Sequence, residues 1–172
     1  MAYCQINQGV IIGTQLAIYK TAEDSCRTII TTKEGIANDI NTELLADSAS
    51  NAFYIVDIIS SYNNRFLVNI MSSDMDSMPF SMDSVWISNE NVGIGLTPTK
   101  INGESKIPLY NKPSNNSNYS LLPKDAAYNI AQILECQGKW QKVRLRNKEN
   151  DIIGWLAPEN QCVNMYSMCC GN

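Results

Sequence analysis

Histidine is absent from all 172 positions. Without an imidazole there is no Ser-His-Asp or Cys-His relay, no His-based pH switch, and no donor for most catalytic zinc sites. Charge is scarce as well, at 17% of residues against about 25% in ordinary globular chains. The balance is acidic, 13 Lys and Arg against 17 Asp and Glu for a net charge of −4. That argues against nucleic acid, which requires a basic face. No apolar run approaches the roughly 20 residues of a membrane-spanning helix. Gly93-Ile94-Gly95 lacks the Lys and the following helix of a phosphate loop. No cofactor is expected, and no CxxC pair offers zinc-site spacing.

What is present is a buriable apolar fraction of 44%, many Asn and Ser, and six cysteines. Wholesale disorder is excluded by the first of these. Disulfides formed in an oxidising compartment are the expected use of the cysteines. Cys162 and Cys169 are placed to close a small C-terminal loop, with Cys170 as the adjacent competitor. Cys4 and Cys26 flank the first strand, and Cys136 is left over. Sequence alone leaves the connectivity open. A catalytic Cys is not expected, because no His is available to activate it. Met1-Ala-Tyr-Cys4 has no basic n-region, and residues 9–16 are too short and interrupted for a signal core. Two explanations stand: a cytoplasmic chain with reduced thiols, or a mature exported chain with its signal replaced by Met1. The cysteine count favours the second.

The chain repeats itself. Trp86-Ile-Ser-Asn-Glu-Asn91 lines up with Trp155-Leu-Ala-Pro-Glu-Asn160, and Ala52-Phe-Tyr-Ile-Val-Asp-Ile-Ile59 with Ala127-Tyr-Asn-Ile-Ala-Gln-Ile-Leu134. The stretch from Arg65 to Ile70 parallels Lys139 to Leu145, and Leu16–Lys20 parallels Ile107–Lys112. Four pairs in one order imply duplication. Short segments rich in Val, Ile, Tyr, Phe and Trp around 10–19, 52–60, 65–71, 84–88, 107–110, 127–136, 139–146 and 151–157 read as strands. Tyr62-Asn-Asn-Arg65, Gln137-Gly138 and Asn147–Asp151 carry hairpin chemistry. On one of these strands Trp140, Lys142 and Arg144 share a face opposite Val143 and Leu145. The expected architecture is mainly β, two tandem small barrels over residues 1–100 and 101–172. Gly, Pro and Thr mark the join near 95–103, and the first copy carries the longer loops and a short helix near 33–47.

Pro108-Leu-Tyr-Asn-Lys-Pro113, Ile133–Arg144 with its Gly138-Lys-Trp140, and Ile153-Gly-Trp-Leu156 together resemble the bacterial SH3-like domain, the SH3b type. The ending with Cys162 and Cys169 resembles extracytoplasmic proteins of Bacteroides-type bacteria. In the first copy no Gly precedes Trp86, and Phe66 stands where the hairpin Trp is expected. The resemblance implies a non-enzymatic binding module of the cell envelope or secreted space. Its partners would be cell-wall peptide, glycan or a protein. The binding candidates are Tyr110, Tyr119, Trp140 and Lys142, whereas Trp86 and Trp155 read as core. The alternative is a protein-directed inhibitor or immunity-type factor using the long first-copy loops, or a structural subunit of a larger assembly.

Other constellations carry less. Met71, Met75, Met78 and Met82 have helical spacing, but Pro79 interrupts them, so a core-covering loop is expected rather than a copper site. Asp74, Asp76 and Asp83 lack the Gly and bidentate Glu of a calcium loop. Among Asp57, Glu90, Glu135 and Glu159, Glu90 and Glu159 hold equivalent repeat positions, which favours a structural role over glycosidase chemistry. Protein isolated from its native source and alkylated without reduction should take up fewer than six alkyl groups per chain of six cysteines by mass. Six additions would remove the argument for export.

Overall fold

The computed structural model describes residues 2–13, 15–25, 28–31, 38–39, 42–43, 46–47, 52–72, 81–123, 126, 129–146 and 150–163. The described residues are mainly strand, with almost no helix. In its first half lie β1 (Ala2–Ile11), β2 (Gln15–Tyr19), β3 (Thr28–Thr31), β4 (Asn38–Asp39), β5 (Thr42–Glu43), β6 (Ala46–Asp47), β7 (Ala52–Tyr62), β8 (Arg65–Ser72) and β9 (Ser81–Ser88). A 3₁₀ turn over Asn89–Asn91 leads into β10 (Val92–Leu96). The second half follows with β11 (Thr99–Ile101), β12 (Glu104–Lys106), β13 (Pro108–Tyr110), β14 (Tyr119–Leu121), β15 (Ile130–Gln137), β16 (Trp140–Leu145) and β17 (Ile152–Leu156). A second 3₁₀ turn, Pro158–Asn160, precedes β18 (Gln161–Cys162).

Fourteen of these strands form one antiparallel sheet, ordered β14-β13-β17-β16-β15-β10-β1-β7-β8-β9-β2-β3, with β18 on β10 and β6 on β7. The sheet is open, ending on β14 and β3, so two closed barrels are not what the strand pairing forms. The physical reason lies at the centre. β10 hydrogen-bonds β15 on one edge and β1 then β18 on the other, which joins the halves into one sheet. One apolar core runs through both, from Ile11, Val56, Ile58, Phe66 and Ile87 to Ile133, Val143 and Leu156. The short helix expected near 33–47 is not formed by the described residues there, which are extended in β4, β5 and β6. The Asn, Asp and Thr in that stretch are poor helix formers.

The repeat seen in sequence returns as repeated register. Tyr19 pairs Trp86 as Tyr110 pairs Trp155, and Leu67 pairs Trp86 as Lys142 pairs Trp155. The β7–β8 hairpin slips register between Ile58 and Ser60, and the β15–β16 hairpin between Ile133 and Glu135. The last residue of each 3₁₀ turn is an asparagine that ties back to the chain beyond the central strands. The Asn91 amide donates to the Ile12 carbonyl at 3.1 Å, and the Ile12 N–H donates to the Asn91 carbonyl at 2.9 Å. Asn160 and Thr97 form the same reciprocal pair, at 2.8 and 2.9 Å.

Turn chemistry sets the hairpins. Asn63 and Asn64 both adopt positive φ, 48° and 59°, and Gly138 sits at 58°. The join at 95–103 is not a bare linker. Asn102 and Gly103, at φ 52° and 81°, turn a further hairpin between β11 and β12. β10 was not legible as a strand because Gly93 and Gly95 interrupt its pattern. Close approach explains one of these glycines: a Cβ on Gly93 would lie 2.6 Å from Ile130 Cγ2 and 3.0 Å from Ile12 Cγ2.

Asn160 is fully buried and Asn91 half-buried. Asn160→Ala is therefore expected to destabilise the fold by about 1–3 kcal/mol, and Asn91→Ala by less. Urea unfolding followed by Trp fluorescence checks the order; negligible loss in both variants would mean the asparagine ties are not structural.

Candidate functional site

The four binding candidates converge, together with Trp155 and Glu135. Tyr119 pairs Tyr110 across β14–β13, Tyr110 pairs Trp155 across β13–β17, Trp155 pairs Lys142 on β16, and Lys142 pairs Glu135 on β15. Residues at one register across adjacent strands point to one face, so these five form a single row. Trp140, two residues before Lys142, lies on the same face one step along. Its ring meets Tyr110 edge-on with centroids 5.2 Å apart, and the Tyr110 and Tyr119 centroids are 5.3 Å apart. Such contacts hold the rings in set positions.

Exposure divides the row. Tyr119 is 48% exposed, Tyr110 and Trp140 are half-buried, and Trp155 is 8% exposed, the core residue its pattern predicted. The Lys142 ammonium stands 6.0 Å from the Trp155 ring centroid and 3.8 Å from the Glu135 carboxylate. This surface pair contributes little to stability but fixes where the positive charge sits. Burial, followed by the negative charge of Glu159 and by Tyr119, pushes the Tyr110 hydroxyl above the ordinary tyrosine range. Asn111, Lys112, Ser114, Asn116, Ser117 and Asn118, the turn between β13 and β14, line a cleft of about 340 Å³ next to this row.

The first half builds the same row with different chemistry: Tyr19, Trp86, Leu67 and Ser60. Here the register corrects the alignment. Tyr62 pairs Arg65 as Gln137 pairs Trp140, so Arg65, not Phe66, occupies the hairpin-Trp position. Phe66 instead matches Gln141, and both are fully buried. Arg65 lies over the Tyr19 ring at 3.6 Å from its centroid. Its Nη1 also donates to the carbonyls of Thr21, Ala22 and Asp24, at 3.3, 2.9 and 2.8 Å. The loop after β2 is thus strapped to the residue that replaces Trp140, whereas the loop after β13 bonds to itself and leaves Trp140 and Tyr119 accessible. Sequence reading missed Arg65. Its signal was the cation two residues before Leu67 at a hairpin exit.

The remaining candidates separate. Asp57 accepts from Gln8 at 2.9 Å, and Glu90 lies in the first 3₁₀ turn. Met71 and Met82 are half-buried across the β8–β9 pair; Met75 and Met78 lie outside the described residues. Cys162 is buried on β18 opposite Gly95, and Cys136 is buried in the core. Cys4 lies on β1, while Cys26 and Cys169 are outside the described residues, so neither expected bridge lies wholly within them. No group of three metal-ligating side chains occurs among the described residues.

Two outcomes test this arrangement. Arg65→Ala is expected to cost about 1–2 kcal/mol and to raise amide exchange over Thr21–Asp24 without disturbing Tyr110–Trp140; unchanged exchange there would refute the strap. Because the fold favours neutral Tyr110, its contribution is complete below the ordinary tyrosine pKa and is lost as pH rises through and above it. Wild type should therefore lose unfolding free energy relative to the non-titrating Tyr110→Phe as pH rises from neutral through the tyrosine range. Compared with known proteins, the chain matches no family model, no curated protein and no solved structure.

Proposed function

We propose that the protein is a non-enzymatic binding module whose second half recognises a ligand on the Tyr110, Tyr119, Trp140 and Lys142 face. The observation that carries this reading is the contrast between the halves. One scaffold register presents a clear aromatic face in the second half and a loop strapped over the matching position in the first. Rigid tyrosine and tryptophan rings offer flat contact area at low entropic cost, which suits binding.

Each half is, in this reading, an SH3-like unit. In support, β1 and β2 pair the opposite ends of the β7-β8-β9 meander, and β10 and β13 do the same for β15-β16-β17. That wraps a continuous stretch of chain around each meander, with Gly13 at φ 96° in the first bend. The ligand is a cell-wall peptide or glycan or a protein, met in the periplasm, at the cell surface or outside the cell. Oxidised cysteines, Cys162 among them, belong to the same reading. Among the described residues no helix is long and apolar enough to cross a membrane. The inhibitor alternative uses the long first-half loops, most of which lie outside the described residues.

Retention on purified, insoluble peptidoglycan tests this. Wild type is expected to be retained and Trp140→Ala released, with Trp140→Ala still folded by near-UV circular dichroism. Trp155→Ala should instead lose about 3–5 kcal/mol of stability as a core truncation. Failure of wild type to be retained, together with a tight protein partner, would replace the cell-wall reading.

A further inference from the structure

We infer that the β13–β14 hairpin is a saccharide site, taking a neutral sugar ring of a glycan chain; this rests on the proposed binding face and names its ligand class. The cleft at the hairpin tip is lined wholly by polar side chains, five of them amides or hydroxyls and one the Lys112 ammonium. No aromatic or branched aliphatic residue lines it to anchor an apolar peptide side chain, and a single positive charge gives little purchase on a polyanion.

The loop satisfies its own backbone. The Asn111 N–H donates to the Asn118 carbonyl at 2.9 Å, the Ser117 N–H to the Ser114 carbonyl at 3.0 Å, and the Lys112 N–H to Ser117 Oγ at 3.0 Å. Asn116 N–H reaches Ser114 Oγ at 3.3 Å, and Ser117 Oγ donates to the Asn118 carbonyl at 3.2 Å. These bonds engage the backbone and the serines. Among the described residues they leave the side-chain amides of Asn111, Asn116 and Asn118 unused, on a turn whose shape is already set. A carboxamide carries both donors and an acceptor, the complement of a sugar hydroxyl that donates and accepts at once.

The second component is the ring pair at the base of the same hairpin. Asn111 directly follows Tyr110, and Asn118 directly precedes Tyr119, whose exposed ring is 5.3 Å from that of Tyr110 between centroids. A sugar ring has an apolar C–H face and a hydroxyl rim. Stacked on Tyr119 it places that rim toward the amides, so one ligand uses both parts of the hairpin. Concave sites of this kind combine apolar area with a few placed polar groups. Preorganisation also matters: the loop pays its ordering cost in folding rather than on binding.

Intrinsic fluorescence of the full chain, reported by Trp140 beside Tyr110, is titrated with a neutral N-acetylglucosamine oligomer and separately with a free cell-wall stem peptide. A saturable response to the oligomer is expected, weakened tenfold or more in both Tyr119→Ala and Asn116→Ala, with melting temperatures unchanged. Oligomer binding untouched by either substitution would overturn the site. Response to the stem peptide alone would overturn the saccharide inference and leave the binding-face reading standing. Silence to both, with no retention on whole peptidoglycan, would overturn the two together.

Discussion

The pairing of β1 with β10 is the constraint on which the rest of the molecule depends. Val10 faces Gly93 and Ile11 faces Val92 across it, and all five residues of β10 are buried. Every other strand of the main sheet reaches the centre through one of these two. The fit tolerates no added bulk. A Cβ on Gly9 would lie 2.8 Å from Val92 Cγ1 and 2.9 Å from the Gly93 carbonyl oxygen, mirroring the crowding at Gly93. Further polar ties join the two halves: the Gln141 amide donates to the Gln8 carbonyl at 2.8 Å and the Asn89 amide to the Leu134 carbonyl at 3.2 Å. A core shared by both halves follows, because strands at this spacing bury their apolar faces against whatever lies over the shared sheet.

With the register repeated, the two halves differ in the side chains at matching positions. Leu67 and Ser60 stand where Lys142 and Glu135 stand, so the charge pair belongs to the second half alone. Arg65 stands where Trp140 stands, and the exchange changes what the next loop does. A guanidinium in that position draws backbone carbonyls onto itself, since it carries several donors in one plane. An indole has one N–H and a broad apolar face, so it leaves the loop to fold on its own terms. One substitution in a duplicated frame thereby separates a covered face from an open one.

The fold and the candidate face were legible to unequal depth. Alternation located β8, β16 and β17, and the buried pattern of Trp140–Leu145 is the one its apolar spacing implies. The recurring Trp and Asn positions marked true structural equivalents, down to the asparagine ties. The alignment of Phe66 with Trp140 was out by one residue, because aromatic character was matched where register should have been; a one-residue shift sends a side chain to the opposite face. The described residues within 33–47 are extended rather than helical, and the reason is related: apolar spacing over a few turns does not distinguish a helix from short extended pieces. The Asn102-Gly103 hairpin was readable from its turn residues but was absorbed into a supposed linker.

By itself the sequence determined what is local or compositional: a β chain, a duplicated order of segments, hairpins at Asn63–Asn64 and Gly138, and no imidazole for catalysis. It also singled out Tyr110, Tyr119, Trp140 and Lys142, which the structure brings to one face, because aromatic and basic side chains at a half-buried strand are conspicuous. Tertiary structure alone decided that the halves share one open sheet, that Tyr119, Tyr110, Trp155, Lys142 and Glu135 fall in one row, and that Arg65 holds down the first loop. These are outcomes of pairing between segments distant in the chain. Pairing is set by the summed fit of strands and core, a quantity that no single segment encodes.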